Sequence, residues 1–466
     1  MMVKKKTDIL FIIPPYHKRN GSGSMFPLGV SSIIACLEKQ QLTYEIIDCT
    51  QVIESLGGKE LEKLGGYLDC VLLTYEPLVV GIGPCVTPGA KGLEVIARCC
   101  RTAFDVDIVF AGGPFASLPT QDWFFYDHLR LKYLIKGDGE EAVCDAVRTV
   151  KNGGSLCNCK CVSHREHSQV NIVQDLDALP FPKRINMDKY IFSDRRKSKN
   201  GGKTAHLVAS RGCPYRCSYC VSGNMKTPFR RRSARSIVSE LKQLSVEHGV
   251  TDIVFYDDCF FTAQQTVNHE IQEFCDELQN NAISITWQVE MRPDVLIGVT
   301  DDSFRLLSDY GCRQMNIGVE KTHHDGASMF GKSFDYSRLQ TCLLHIHEIC
   351  PIALTGTFIL GGKGESEQSI RELIVASAHM GLDNVEYSPL FVYPDTPIYD
   401  EMFSNPRTWF DVVSQESEGW GEVVYESELL DKKTLIHLID EAYQYFYGNT
   451  DQHDSKRVID RYRLKG

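Results

Sequence analysis

The sequence has no uninterrupted apolar run of 18 or more residues, the length that a membrane-spanning helix needs. Its first apolar run, Ile9 to Ile13, follows a basic start, but it is shorter than a secretory signal, and no small-residue cleavage site follows it. We interpret this run as a buried β-strand. We therefore expect a cytoplasmic protein that has no membrane partner.

Basic residues are fewer than acidic ones: the sequence has 50 Lys and Arg and 61 Asp and Glu, which gives a formal net charge of −11. General nucleic-acid binders usually have a basic balance, so we expect no nucleic-acid partner. Repeats of solenoid length and low-complexity segments are also missing, which excludes a repeat array. The length of 466 residues is enough for two to four ordinary globular domains.

Cysteine, in contrast, is abundant, with 18 residues. Disulfide frameworks of this density belong to small secreted proteins, whereas this chain is long and shows no export signal. We therefore expect reduced thiols together with a few metal ligands.

Residues 1–150 alternate short apolar runs with amphipathic segments. Strands are predicted at Asp8–Ile13, Tyr44–Ile47, Val79–Ile82, Ile108–Ala111 and Tyr133–Ile135. This alternation predicts an α/β fold with a doubly wound, Rossmann-like parallel sheet. Ligands of such sheets bind beyond the carboxyl ends of the strands, where the Pro and Gly clusters of this sequence fall.

A second alternation runs over residues 204–395. Its predicted strands are His206–Ser210, Asp252–Tyr256, Ser284–Val289, Gln314–Gly318, Leu354–Leu360 and Asn384–Ser388. Six strands are too few for a closed eight-stranded barrel, so the pattern predicts a partial, open (β/α)6 barrel. A polar linker over 151–203 joins the two domains, and residues 396–466 are predicted as a small helical region that contacts substrate or acts as a lid.

Three cysteines follow the first barrel strand at close spacing: Cys213, Cys217 and Cys220. Thiolates separated by three and then two residues suit one face of an iron–sulfur cube. Three protein ligands on four irons leave one iron open, and an open metal position is typical of a site that binds substrate. The alternatives are a zinc site or chance spacing, but zinc normally needs a nearby fourth ligand, and His206 lies upstream in the strand.

This Cys-x3-Cys-x2-Cys motif resembles that of the radical SAM superfamily, whose core is a partial (β/α)6 barrel. Further barrel segments are similar to that family: Tyr256–Phe260, Trp287–Arg292, Gly318–Glu320, Phe358–Glu365 and Tyr393–Pro397. Lys363 departs from the family, which usually has proline there. By resemblance, the residues that contact S-adenosylmethionine (SAM) are Tyr219, Asp258, Glu290, Arg292, Glu320 and Gly361.

The resemblance implies that Cys213, Cys217 and Cys220 hold a [4Fe–4S] cluster whose open iron takes the amino and carboxylate groups of SAM. An electron, supplied by a donor such as flavodoxin or ferredoxin, then cleaves SAM to a 5′-deoxyadenosyl radical. The cofactor carries this chemistry, while the protein holds the cofactor and excludes water.

Radical SAM enzymes that carry a doubly wound domain before the barrel resemble the cobalamin-dependent (class B) group, and the resemblance covers roughly residues 7–400. It implies a cobalamin between the two domains. The residues that match are Pro15, Phe26, Leu28, Gly29, Gly81, Gly83, Thr87, Gly112, Gly113, Pro114, Gly137, Gly139 and Glu140. Glycines at strand ends would let the backbone approach a bulky ring.

The Asp-x-His-x-x-Gly motif that supplies a cobalt-binding histidine in other cobalamin proteins is absent. The nearest candidate is His17, but Pro15 stands where that motif needs its aspartate. We therefore expect cobalamin without a histidine ligand. The alternative is a domain of this shape that binds no cobalamin.

Other polar residues have two interpretations each. Cys157, Cys159 and Cys161 form either a second metal site or, as we favour, free thiols. Asp257 and Asp258 suit acid–base chemistry, although we favour one as a helix cap and the other facing the pocket. Cys259 either contacts substrate or, as we favour, packs in the core, and Cys312 is predicted to pack in the core before the fourth barrel strand.

These observations predict a cobalamin-dependent radical SAM C-methyltransferase that acts on an unactivated carbon of a small molecule or peptide natural product. It would use the 5′-deoxyadenosyl radical and methylcobalamin. The alternative is a non-methylating enzyme of the same class that catalyses ring contraction, cyclisation or rearrangement. A third hypothesis is a cobalamin- or metal-binding regulatory protein without turnover.

Overall fold

A computed structural model describes residues 3–15, 26–56, 61–185, 190, 202–225, 227–322, 330–403, 405, 407–411 and 426–449. His17 lies outside these residues. The chain divides into two compact units. The first comprises Met1–Asp194, Tyr393–Asp395 and Tyr399–Trp420, and the second comprises Arg195–Val392, Thr396–Ile398 and Gly421–Gly466.

The first unit is built on a parallel sheet. Its strands are β1 (Lys5–Ile13), β2 (Tyr44–Asp48), β3 (Tyr75–Ile82), β4 (Val109–Gly112), β5 (Tyr133–Gly137) and β6 (Val170–Asn171). Its helices are α1 (Leu28–Lys39), α2 (Cys49–Ser55), α3 (Leu61–Val71), α4 (Ala90–Ala103) and α5 (Glu140–Lys151).

The strand order is β2-β1-β3-β4-β5-β6, and all neighbouring pairs are parallel. The doubly wound prediction is therefore confirmed. Because β1 pairs with both β2 and β3, the order reverses between β1 and β3, and ligands of such sheets bind at this switch. The two-residue strand β6 lies in the predicted linker, where a hairpin over 160–173 was expected, and the sequence pattern did not predict that it extends this sheet.

Burial and capping explain the local structure of this unit. Seven consecutive residues of β1, from Thr7 to Ile13, are buried, as expected for a central strand that is covered on both faces. At the end of β2, the Asp48 carboxylate accepts a hydrogen bond of 2.9 Å from the Thr50 backbone amide and caps α2.

The second unit carries a longer series of elements. Its strands are β7 (Lys203–Leu207), β8 (Ser210–Arg211), β9 (Arg230–Arg231), β10 (Val250–Phe255), β11 (Thr286–Met291), β12 (Cys312–Glu320), β13 (Ala353–Leu360) and β14 (Asn384–Pro389). Its helices are α6 (Val221–Asn224), α7 (Ala234–His248), α8 (Val267–Asn280), α9 (Pro293–Leu296), α10 (Asp301–Asp309), α11 (Tyr336–Ile349), α12 (Glu367–Ala378) and α14 (Lys432–Asn449). Helix α13 (Pro397–Met402) has its first two residues in this unit and the others in the first unit.

Six of these strands form a parallel sheet in the order β14-β13-β12-β11-β10-β7, while β8 and β9 form a separate antiparallel pair. Strands that are consecutive in this series are neighbours in space, which is the arrangement of a half-barrel. The partial-barrel prediction is confirmed. The carboxyl ends of all six strands lie at one edge, because the strands are parallel.

The C-terminal helix α14 packs on this sheet. The Tyr443 hydroxyl accepts a hydrogen bond of 2.9 Å from the Tyr387 backbone amide, and both side chains are buried. Phe446 and Tyr447 are buried as well, so these aromatic residues belong to the core. None of the helices in the described part of the chain is both long and apolar enough to cross a membrane.

Candidate active site

The loop that carries the three cysteines begins and ends at a two-residue hairpin. Ser210 pairs with Arg231 and Arg211 with Arg230, so the intervening loop is closed at its base. Gly212, immediately before Cys213, has φ +76°, and a Cβ there would lie 3.0 Å from the Pro228 carbonyl oxygen. Glycine is therefore needed at the turn that sends the chain into the loop.

Asn224 fixes the turn between the second and third cysteines. Its side-chain amide donates to the carbonyl oxygens of Cys217 (3.0 Å) and Cys220 (2.7 Å). The Cys220 amide also donates to the Cys217 carbonyl oxygen, at 3.1 Å. The backbone between these two ligand candidates is therefore held in place by side-chain and backbone bonds together.

Burial raises the pKa of Cys213 to about 11 and also raises the pKa of Cys220. Both residues are thus thiols at neutral pH when no metal is bound, and a metal cluster would displace their protons on binding. Within the described residues, no three His, Cys, Asp or Glu side chains are placed to hold a single metal ion.

Arg292 lies at the carboxyl end of β11 and is buried. Its Nη1 atom is 3.3 Å from the Cys217 Sγ atom, and its guanidinium stacks 3.5 Å from the centre of the Tyr215 ring. The Asp294 carboxylate orients it through a bond of 2.9 Å to Nε. This fixed positive charge beside a cysteine sulfur fits an anionic iron–sulfur cluster.

Glu320 ends β12 with φ +64°, a conformation that is uncommon outside glycine. Its Oε1 atom accepts a hydrogen bond of 2.9 Å from the Tyr219 hydroxyl and lies 2.8 Å from Nζ of Lys332. Lys332 also donates to the Gly318 carbonyl oxygen, at 2.7 Å. The structure thus brings two predicted SAM residues, Tyr219 and Glu320, into direct contact.

Glu290 and Asp258 lie at the carboxyl ends of the neighbouring strands. Glu290 accepts a bond of 2.8 Å from the Asn316 side-chain amide, and Asp258 accepts one of 2.9 Å from the Ser222 hydroxyl. Asn316 in turn belongs to a polar row with Gln314, whose buried Oε1 atom has no hydrogen-bond partner among the described residues.

Gly361 follows β13 with φ +85°, and a Cβ there would lie 2.5 Å from a Leu435 methyl carbon on α14. Helix α14 therefore requires a glycine at this strand end. The next turn is closed by Glu365, which accepts a bond of 2.6 Å from the Gly362 amide and forms a buried ion pair with Lys321.

Asp257 has a structural role that the sequence did not predict. Its carboxylate accepts hydrogen bonds from the Ala209 amide (3.0 Å) and the Ser210 hydroxyl, which tie the end of β10 to the cysteine loop. Burial raises its pKa to about 6, against the opposing effect of these bonds. The predicted helix cap is wrong, because α8 begins after Thr266 without a side-chain cap.

The remaining cysteines of this unit that were predicted to pack in the core do so. Cys259 is buried and its thiol donates to the Phe261 carbonyl oxygen at 2.8 Å. Cys312 is fully buried at the start of β12.

In the first unit, most of the predicted cobalamin residues lie at the carboxyl ends of β1, β3, β4 and β5, while Phe26, Leu28 and Gly29 lie at the start of α1. The loops after β3 and β4 touch through their backbones: the Cys85 amide donates to the Gly112 carbonyl oxygen at 2.8 Å. A Cβ on Gly83 would lie 2.6 Å from that oxygen, and one on Gly113, which has φ +118°, would lie 2.6 Å from the Cys85 nitrogen. These two glycines are required by contact between the loops themselves.

Contacts within the unit explain several other predicted residues. A Cβ on Gly137 would lie 2.2 Å from the Asn171 carbonyl oxygen, and one on Gly139 would lie 2.7 Å from an Ile33 methyl carbon. Pro15 packs against Gly92 on α4. Thr87 and Glu140 are buried at the starts of helical segments, and Pro114 precedes the short helical turn Phe115–Ser117.

Gly81 lies inside β3, where a Cβ would meet Phe110 and Phe11 at 3.0 and 3.2 Å. It is a core position of the sheet.

Gly29 differs from the other glycines predicted to contact cobalamin, because nothing in the described part of the chain lies within 4 Å of a Cβ built on it. Beside it in the first turn of α1, Leu28 is half-buried, while Phe26 is buried against Tyr190, with ring centres 5.2 Å apart.

Sequence reasoning did not identify Lys332, Tyr215 or Asn224 as parts of the site. Asn224 lies four residues after Cys220, and a polar residue so close to the cysteine motif could have been predicted to belong to the site. Lys332 and Tyr215 act through contacts that only folding creates, with Glu320 and Arg292 respectively.

Comparisons with known proteins agree with this geometry. Residues 207–375 match the family model of the Radical SAM superfamily. An uncharacterized methyltransferase of Pyrococcus horikoshii is 21% identical over 86% of this chain and 84% of its own length. The anaerobic magnesium-protoporphyrin IX monomethyl ester cyclase of Cereibacter sphaeroides is 22% identical over 94% of this chain and 70% of its own.

Among solved structures, this chain is similar to the radical SAM methyltransferase TsrM from Kitasatospora setae, which was solved with cobalamin and a [4Fe–4S] cluster bound. The TM-score is 0.70 at 16% identity, and the match covers 97% of this chain and 90% of that one. This likeness shows a shared fold. The family match covers the cysteine loop and the strands from β8 to β13, and it confirms the radical SAM resemblance predicted from the sequence. The protein is a radical SAM enzyme, whose residues 207–375 belong to the radical SAM superfamily.

Proposed function

We propose that the chain is a cobalamin-dependent C-methyltransferase that acts on an unactivated carbon of a small molecule or a peptide natural product. The observation that carries the proposal is the pairing, in one chain, of a radical SAM domain with a doubly wound sheet whose strand order reverses between β1 and β3. The relatives support it, since they include a methyltransferase that matches most of the chain.

The barrel residues fit a [4Fe–4S] cluster and SAM. Cys213, Cys217 and Cys220 would hold the cluster, with the Arg292 guanidinium balancing its charge. Glu320 keeps lone pairs that accept hydrogen bonds from an ammonium group, and Tyr219 and Lys332 hold its carboxylate in one position. When bound, the cluster and SAM supply a 5′-deoxyadenosyl radical, and cobalamin supplies the methyl group.

The first unit fits a large planar ligand at its strand ends. The loops after β3 and β4 meet backbone to backbone at Gly83 and Gly113, so no bulky side chain rises from these positions. Gly29 leaves open space at the start of α1. The residues proposed to contact cobalamin are those at the ends of β1, β3, β4 and β5 together with the first turn of α1.

The experiment is an anaerobic reaction of the reconstituted protein with cobalamin, SAM carrying a deuterated methyl group, and dithionite. Mass spectrometry should detect 5′-deoxyadenosine together with S-adenosylhomocysteine, and should find the deuterated methyl group on the cobalamin. Replacing Cys213, Cys217 and Cys220 by alanine should abolish 5′-deoxyadenosine formation. The matched control Cys342→Ala, at a half-buried thiol of α11, should retain it.

The second candidate is a non-methylating reaction of the same class, which the similarity to a cyclase over 94% of this chain favours. It predicts 5′-deoxyadenosine without S-adenosylhomocysteine and without labelled cobalamin. That result would overturn methyl transfer and leave the radical chemistry in place. A protein that forms no 5′-deoxyadenosine under dithionite would contradict both.

A further inference from the structure

The linker region contains a pair of thiols that the proposed function does not use. Cys159 and Cys161 lie in the first unit, after the short helical turn Leu156–Asn158, and their Sγ atoms are 2.9 Å apart. Both border an open cavity of about 740 Å³. Neither the family model, which begins at residue 207, nor any predicted cofactor contact includes them.

Backbone hydrogen bonds hold the two cysteines in this arrangement. The Cys159 amide donates to the Leu156 carbonyl oxygen, and the Val162 amide donates to the Cys159 carbonyl oxygen, each at 3.1 Å. The Asn171 side-chain amide donates to the Cys161 carbonyl oxygen at 2.9 Å. This turn, fixed on both sides by hydrogen bonds, holds the two sulfur atoms close to each other.

The pKa values of the two thiols are shifted in opposite directions. The two sulfur atoms share a hydrogen bond in which either can be the donor, and the Cys161 Sγ atom also lies 3.1 Å from the Ala142 carbonyl oxygen. The contact between the sulfur atoms lowers the pKa of Cys159 to about 6 and raises the pKa of Cys161. Elsewhere in this unit, burial raises the pKa of thiols such as Cys85 and Cys144 to about 12. A thiolate beside a protonated thiol is the arrangement of a nucleophile with its resolving partner.

The cavity provides a polar approach to this pair. Lys160 lines it with positive charge, Arg148 and Asp145 line it as an ion pair, and Asn152 lines it with an amide. Cys161 is half-buried, whereas Cys159 is buried apart from the edge that borders the cavity. Such a lining suits a small zwitterionic or anionic peptide-like disulfide.

We propose that Cys159 and Cys161 form a dithiol–disulfide redox site that reacts with small peptide disulfides. The Cys159 thiolate attacks the disulfide R–S–S–R, forms a mixed disulfide and releases one R–S⁻. The Cys161 thiol then loses its proton and attacks the Cys159 sulfur, which forms the Cys159–Cys161 bond and releases the second R–S⁻. Relative to the dithiol, the protein loses two electrons and two protons, one released to solvent when Cys159 ionises and one from Cys161, and two protons from solvent convert the two R–S⁻ groups to R–SH.

The test uses the full-length protein under argon, equilibrated with mixtures of reduced and oxidised glutathione and quenched with N-ethylmaleimide. After trypsin digestion, mass spectrometry should find residues 152–165 lighter by two hydrogen atoms and free of maleimide on Cys159 and Cys161. This peptide is expected either whole or cut after Lys160 into two pieces joined by a disulfide.

Three variants separate this bond from its alternatives. Cys159→Ser and Cys161→Ser should each reduce the oxidised species about tenfold or more, whereas Cys157→Ser should leave it unchanged. An oxidised species that persists in Cys159→Ser would assign the bond to Cys157 and overturn the proposal. Recovery of Cys159 and Cys161 from the wild-type protein as separate glutathione or maleimide adducts would overturn it as well. These measurements do not depend on SAM cleavage, so they stand apart from the proposed function.

Discussion

The two parallel sheets of this protein offer opposite chemistry at the same structural position. In the first unit, the strand ends at β3 and β4 meet through glycine backbone, with a 2.8 Å bond between the Cys85 amide and the Gly112 carbonyl oxygen. In the second unit, the ends of β11 and β12 present charged side chains, Arg292 and Glu320, each fixed by a partner of opposite charge.

The difference shows that parallel sheets can present two kinds of surface at their strand ends. Parallel strands bring their carboxyl ends to one edge, and the residues placed there decide what binds. Backbone and small residues leave room for a large ring, whereas buried charges with fixed partners suit an ionic cofactor and the amino acid portion of SAM. The comparison predicts that substitutions at the charged edge act through electrostatics, and that substitutions at the backbone edge act through steric overlap.

The largest effect is expected at the charged edge. Lys332→Met leaves the buried Glu320 carboxylate without its cation, and an unpaired buried charge costs about 3 to 5 kcal/mol of the free energy of unfolding. The measurement is urea unfolding of the cluster-free protein, followed by hydrogen exchange in peptides of the barrel.

The double variant Lys332→Met with Glu320→Gln is the control for this prediction. A neutral glutamine oxygen still accepts from the Tyr219 hydroxyl, so most of the lost stability should return. If the double variant were as unstable as Lys332→Met alone, the loss would come mainly from packing around Lys332, and the contrast between charged and backbone edges would fail.

A smaller effect is expected at the backbone edge. Gly113→Ala places a Cβ 2.6 Å from the Cys85 nitrogen at φ +118°, which should lower the free energy of unfolding of the first unit by about 2 to 3 kcal/mol. Gly29→Ala, where nothing lies within 4 Å, should instead be neutral or stabilising by about 0.5 kcal/mol. Hydrogen exchange in peptides of the first unit measures both, and an equal loss in the two variants would contradict the steric argument.

Most of the architecture could be predicted from the sequence because the signals were local. Apolar runs marked every long strand, and the spacing of Cys213, Cys217 and Cys220 marked the cysteine loop. The two-residue strand β6 carries no periodicity, so its pairing with β5 could not be predicted. Lys332 meets Glu320 only through folding, and no local pattern marks that pairing. Gly81 matched a family motif, yet in the fold it is a core residue between Phe11 and Phe110.

The structure most changes the explanation for the predicted glycines. Glycines that were predicted to admit a ring are, at Gly83, Gly113 and Gly137, required by the protein's own backbone contacts. Their presence alone therefore does not distinguish a cobalamin-binding sheet from an empty one. Gly29 has no such contact among the described residues and is one of the residues proposed to contact cobalamin, so cobalamin binding is best tested there.

The variant with the smallest expected effect therefore gives the most specific test of where cobalamin binds. Gly29→Trp fills the open space at the start of α1 and should weaken binding of hydroxocobalamin about tenfold or more, equivalent to roughly 1.4 kcal/mol. The matched control is Gly66→Trp on α3, where a Cβ also meets nothing within 4 Å but which belongs to no predicted contact. Absorbance titration of both variants measures the affinity. Equal affinity in the two would place cobalamin away from the first turn of α1, whereas a loss confined to Gly29→Trp would place cobalamin beside that turn.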